Sequence, residues 1–92
     1  MMVRVVAALP TSLEHLALRS CKQLTTVPRL SEMTRLKTLD LYGCSALSVL
    51  PDLSALTSLE TLNLESCDAL TVLPDVSALT SLKKYWKPSH LE

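Results

Sequence analysis

Apolar residues recur along the chain in one figure, L-x-x-L-x-L-x-x-C-x-x-L-x-x-[V/L]-P-x-[L/V]-S-x-[M/L], which starts at Leu13 and returns at Leu36 and Leu59, a step of 23 residues. Inside each figure a short stretch alternates with period two. In His15-Leu16-Ala17-Leu18-Arg19 the two leucines fall on one face of a strand and their neighbours on the other. The pattern therefore predicts one short β-strand per repeat. The second half of each repeat reads LTTVPRLS over 24–31, LSVLPDLS over 47–54 and LTVLPDVS over 70–77. A proline in mid-segment beside β-branched residues disfavours an α-helix there. An extended or polyproline-like path is expected instead, closing in a single 3₁₀ turn near Ser-Ala-Leu-Thr, with Ser31, Ser54 and Ser77 bonding local backbone.

The organisation follows from that period: repeat 1 over 11–33, repeat 2 over 34–56 and repeat 3 over 57–79, the last two sharing 15 of 23 letters. Residues 1–10 precede them as an N-terminal edge or cap segment. Residues 80–92 begin a partial fourth copy that loses the pattern, since Lys87 stands where Leu18, Leu41 and Leu64 stood, and Pro88 follows. The whole is one domain. A single repeat cannot bury its apolar face, but stacked repeats can. Strands paired in parallel about 4.8 Å apart bring Leu13, Leu16 and Leu18 onto their equivalents Leu36, Leu39, Leu41 and Leu59, Leu62, Leu64.

The stretch L-x-x-L-x-L-x-x-C, present three times in register, resembles the leucine-rich repeat, whose period is about 20–29 residues. The resemblance implies a leucine-rich repeat solenoid of α/β type, with short parallel strands on the concave face and irregular, 3₁₀ or extended segments on the convex side. The cysteine-bearing 23-residue repeat, with C-x-x-L where the commoner pattern has C-x-L, is similar to repeats of plant-type intracellular immune receptors. That similarity implies a cytoplasmic protein and a role in recognition. Such repeats bind a ligand or hold a nucleotide-binding domain inactive, and no nucleotide-binding segment is present in these 92 residues.

Composition and charge narrow the chemistry. Lys+Arg and Asp+Glu balance at nine each, so no net field draws the chain to nucleic acid or to an acidic membrane, and neither partner is expected. Polar residues and prolines interrupt every hydrophobic stretch well short of a membrane span. Cys21, Cys44 and Cys67 sit one per repeat where the chain turns inward after the strand. A small side chain with a weak S–H donor suits that corner, whereas metal binding would want a C-x-x-C pair or histidines at ligand spacing. Reduced thiols without a secretory signal fit an intracellular protein. A triad from His15, Asp40 and Ser20 lacks a pocket and oxyanion donors, and Gly43, the single glycine, rules out a glycine-rich phosphate loop. No catalytic, cofactor or metal residues are expected, and the chain is read as non-enzymatic.

Outward strand positions remain as candidates, because the core does not dictate them. One column, Glu14, Lys37, Glu60 and Lys83, stacks opposite charges and is read as structural. The others vary, and the candidate protein-binding residues are His15, Arg19, Asp40, Tyr42, Asn63, Glu65, Lys84 and Trp86. Arg19, Tyr42 and Trp86 are of the types that most often carry interface energy. The cluster from Lys83 to Lys87 is expected to cover the last repeat, Tyr85 replacing a core leucine with its hydroxyl reaching water, while Trp86 contributes to binding. The expected function is a protein-interaction module acting through the concave face. The alternative is a structural fragment of a larger repeat protein with no partner of its own. With apolar residues at 1–10 making a poor polar lid, marginal stability and end-to-end self-association are expected of the chain alone. Leu91 and Glu92 carry no fold expectation.

Overall fold

Each x-L-x-L stretch forms a three-residue strand in the computed structural model: β1 His15–Ala17, β2 Thr38–Asp40, β3 Thr61–Asn63 and, in the partial copy, β4 Lys84–Trp86. The residues described are 9–91. The edge segment expected over 1–10 therefore lies outside them apart from Leu9, which packs against the core, and exposed Pro10. The strands make one parallel sheet in chain order, β1-β2-β3-β4. Its register repeats the sequence period: Leu16 pairs with Leu39, Leu39 with Leu62, and Leu62 with Tyr85. Any one-residue slip would turn these side chains out of the core.

Regular strand geometry is shorter than the five residues the alternation predicts, although hydrogen bonding continues past it. The Leu18 N–H donates to the Asp40 carbonyl at 2.8 Å and the Ser20 N–H to the Tyr42 carbonyl at 2.6 Å. What ends each strand is a left-handed residue at one repeated position, Ser20, Gly43 and Ser66, with φ of 58°, 73° and 64°. That turn aims the next residue, the cysteine, inward. The cysteine carbonyl then accepts the N–H three residues on: Leu24 from Cys21 at 3.0 Å, Leu47 from Cys44 at 3.1 Å and Leu70 from Cys67 at 3.2 Å. These turns are the physical content of the C-x-x-L spacing, since each delivers a leucine into the core directly after the corner.

The core is the leucine stack. Leu36, Leu39, Leu41, Leu59, Leu62 and Leu64 are wholly buried, each leucine contributing about 1.5–3 kcal/mol relative to exposure. In the first repeat Leu13 and Leu18 are half-buried, beside β1, the first strand in the sheet order among the described residues. The return segments form neither α-helix nor strand, and the closing turn expected in every repeat recurs in all three. The N–H groups of Met33, Leu56 and Leu79 donate to the carbonyls of Leu30, Leu53 and Val76 at 3.0, 2.9 and 2.9 Å, and the turn lengthens into a 3₁₀ helix in the first, at Leu30–Glu32. There Arg29 is left-handed, φ 66°, and its guanidinium lies 3.5 Å from Glu32. Repeats 2 and 3 carry aspartate at that place. The Asp52 carboxylate accepts the Ser54 N–H at 3.0 Å, and Asp75 accepts the Ser77 N–H at 2.9 Å. Ser54 and Ser77 thus engage an aspartate side chain instead of bonding backbone through their hydroxyls, and the Ser54 hydroxyl itself donates to Asp52.

After β4 the chain folds back through buried Pro88 into a 3₁₀ turn at Ser89–Leu91. The His90 Nε2 lies 2.7 Å from the Leu70 carbonyl oxygen, and Leu91 packs on the core, so a residue without a sequence expectation helps to cover the last repeat. The result is a small body, 31 × 26 × 17 Å, with a four-stranded parallel sheet and almost no helix.

Candidate functional site

The outward side chains of the sheet form columns set by the register. Ala17, Asp40, Asn63 and Trp86 lie in one, and His15, Thr38, Thr61 and Lys84 in the next. At the centre three candidates meet. The Arg19 guanidinium is 3.2 Å from an Asp40 carboxylate oxygen and stacks 4.7 Å over the Tyr42 ring, while the other Asp40 oxygen accepts the Tyr42 N–H at 3.1 Å. Arg19 thereby holds a planar cation on an aromatic face across two repeats, at a side-chain exposure of 58% that leaves it open to a partner.

Asn63 repeats the Asp40 arrangement, its side-chain oxygen accepting the Glu65 N–H at 2.9 Å. Asp40 and Asn63 are half-buried, so both shape the turn after the strand as well as lining the face. Glu65, His15, Lys84 and Trp86 are exposed, Trp86 to 43%. The structure does not bring all eight together. His15 sits on β1 and Lys84 and Trp86 on β4, about 14 Å apart at three strand spacings.

Other expectations resolve individually. The charge column closes one ion pair among the described residues, Lys37 to Glu14 at 3.5 Å, with both side chains about half exposed. Tyr85 does replace a core leucine, but its hydroxyl does not reach water. Register over Leu62 carries the ring inward, the hydroxyl is buried without a hydrogen-bond partner, and burial raises its pKa. The Lys87 ammonium lies 5.5 Å from the Tyr85 ring centroid.

The thiols do what a small S–H donor at an inward corner can do, and they do it between repeats. Cys44 Sγ donates to the Leu18 carbonyl at 2.9 Å and Cys67 Sγ to the Leu41 carbonyl at 3.2 Å, each reaching back into the preceding repeat. Burial pushes both thiols up, Cys67 to about 11, so they stay protonated at neutral pH and are poor nucleophiles. The Asp40 carboxylate is occupied by Arg19 and the Tyr42 N–H, which leaves the imagined triad without its orienting acid.

Two surfaces escape sequence reasoning. A shallow polar hollow of about 270 Å³ lies beside the Arg19–Tyr42 stack, lined by Tyr42, Gly43, Ser20, Ser66, Lys22 and Asp68 among others. Its signal was the recurrence of Ser, Gly and Ser at 20, 43 and 66. The second lies on the return segments, where Val49 and Val72 are 58% and 73% exposed beside Leu50, Leu73 and Pro74, around a hollow of about 220 Å³. Valine stands there in repeats 2 and 3 where repeat 1 has Thr26.

The fold and face define a small parallel-sheet body that offers a mixed polar and aromatic surface. Comparison of the chain with family models, with curated proteins and with solved structures returns no match. Among the described residues no helix is long and apolar enough to cross a membrane, and no group of three or more His, Cys, Asp or Glu side chains could hold a metal ion.

Proposed function

We propose that the chain is a leucine-rich repeat solenoid that works as a non-enzymatic protein-interaction module, its sheet forming the concave recognition face. Supporting the fold reading is the coincidence of sequence period and strand register, every paired residue lying 23 positions from its partner. The observation that carries the function is the Arg19–Asp40–Tyr42 cluster. An arginine stacked on a tyrosine and steered by a carboxylate is preorganised, so little side-chain entropy is lost when a partner covers it. The cysteine-bearing repeat supports a cytoplasmic setting and ligand recognition of the kind found in plant-type intracellular immune receptors.

The test is affinity capture from cytoplasmic extract with three versions of the protein. Wild type and a Val49→Ser/Val72→Ser variant are expected to retain the same partner, while an Arg19→Ala/Tyr42→Ala variant loses it with its melting temperature little changed. An exposed ion pair contributes only about 0.2–1 kcal/mol to stability. Equal capture by all three would remove the sheet face from the account. Absence of any partner would favour the competing reading, a structural segment of a larger repeat protein.

A further inference from the structure

We infer that the outer edge of β4 accepts an extended acidic peptide as a fifth parallel strand, with a carboxylate in register with Lys83. The inference concerns the edge of the sheet and is independent of which protein covers its face.

Backbone geometry comes first. β4 is the last strand in the order, so among the described residues one of its edges has no strand beside it. The Lys84 N–H donates to the Glu60 carbonyl at 3.1 Å and the Trp86 carbonyl accepts from Leu64 at 2.8 Å, so the peptide groups of Lys84 and Trp86 face β3. By strand alternation those of Tyr85 face the open side, where they can pair with an added strand. The segment after β4 does not occupy that side, since His90 reaches back to Leu70 of the preceding repeat.

Charge selects the partner. The column Glu14, Lys37, Glu60, Lys83 alternates in sign and ends on a cation, so continuing it calls for an acid. Its first step is closed at 3.5 Å, which shows that neighbouring strands bring these positions within ion-pair reach. Lys83, Lys84 and Lys87 are all exposed and form no ion pair among the described residues. Residues 34–79 hold six acids and two cations, so the cations of a neutral chain are displaced toward its ends, away from the middle repeats. Apolar complementarity agrees: Tyr85 is half-buried where Leu39 and Leu62, its counterparts within the sheet, are fully covered. An apolar residue two places beyond the acid would complete that burial.

The peptide Glu-Thr-Leu-Asn-Leu-Glu, capped at both ends, is the probe, because this is the sequence over 60–65 that already lies against β4 on its other side. Titration of the full chain is followed by fluorescence of Trp86, the single tryptophan. Saturable binding is expected, weakening as salt rises and roughly three- to tenfold weaker for Gln-Thr-Leu-Asn-Leu-Gln or for Lys83→Gln/Lys84→Gln protein. A peptide N-methylated at Thr and Asn, whose N–H groups would meet β4, is expected not to bind, while Arg19→Ala/Tyr42→Ala protein binds as wild type does. Equal binding of the glutamine peptide overturns the charge pairing, and equal binding of the N-methylated peptide overturns strand addition. No binding by any peptide would mean that the lysines guard the edge against strands. Mass by light scattering that rises with protein concentration and is blocked by the peptide would assign the edge to a second copy, which also overturns the proposal.

Discussion

At residue 43 a β-carbon would sit 3.1 Å from the Ser20 hydroxyl oxygen, on a backbone already at φ +73°. Both the left-handed backbone and the close contact penalise a side chain, so Gly43→Ala is expected to lower unfolding free energy by about 1 kcal/mol or more in urea titration. Ser66 holds the same backbone at φ 64° with a side chain attached, and Ser66→Gly is expected to be neutral or stabilising by up to about 1 kcal/mol. The sequence shows the recurrence of small residues at 20, 43 and 66, yet not their conformation, because serine is compatible with many turns. Cys67 behaves similarly: its chemistry as an S–H donor is legible, whereas its acceptor, the Leu41 carbonyl of the preceding repeat, depends on how repeats stack.

That thiol makes stability depend on pH with a definite sign. Its pKa is raised from 9.0 to about 11 in the folded chain, chiefly by burial, so the folded state keeps a proton that the unfolded state gives up. The stabilisation is complete below pH 9 and is lost as pH rises from 9 to 11, an effect of order 2–3 kcal/mol by linkage. Burial of Tyr85 adds in the same direction at higher pH. Urea midpoints measured from pH 8 to 11 should fall, and fall less steeply in Cys67→Ala; parallel pH profiles would count against a buried, protonated thiol.

At the scale of elements, the strands were the most legible part, because two alternating leucines per repeat fix both the face and the register. Leu39→Ala and Leu62→Ala each remove a wholly buried side chain from the ladder and are expected to cost about 2–5 kcal/mol in thermal or urea unfolding. Tyr85 marks where the pattern misled. A tyrosine at a core position suggests a hydroxyl snorkelling to water, but in β4 the ring follows Leu62 inward and the hydroxyl is stranded. Tyr85→Phe deletes that unpartnered group without changing shape, so its melting temperature should equal or exceed that of wild type. The return segments were legible as non-helical from their prolines. Their closing turns recur where they were expected, but the side-chain bonds beside them were not legible, because Arg29 in repeat 1 and Asp52 and Asp75 in the others select different local partners from nearly the same apolar frame.

Across the whole molecule, the face exists only as a composite: Arg19 comes from the first repeat, Asp40 and Tyr42 from the second, Asn63 and Glu65 from the third, and Lys84 and Trp86 from the partial fourth. Sequence alignment of the repeats named these residues. It could not show that Arg19, Asp40 and Tyr42 lock together while His15 stands three strands from Trp86, since long side chains choose partners among several within reach. Recognition by such a face requires the repeats to fold as one in-register body. The most direct test is urea unfolding followed by Trp86 fluorescence, which reports on β4, and by far-UV circular dichroism, which reports on all strands. Coincident transitions that shift together in Leu39→Ala, a substitution two strands away, are the predicted result. A Trp86 transition at lower urea, unmoved by Leu39→Ala, would show that β4 detaches on its own and would contradict a single composite face.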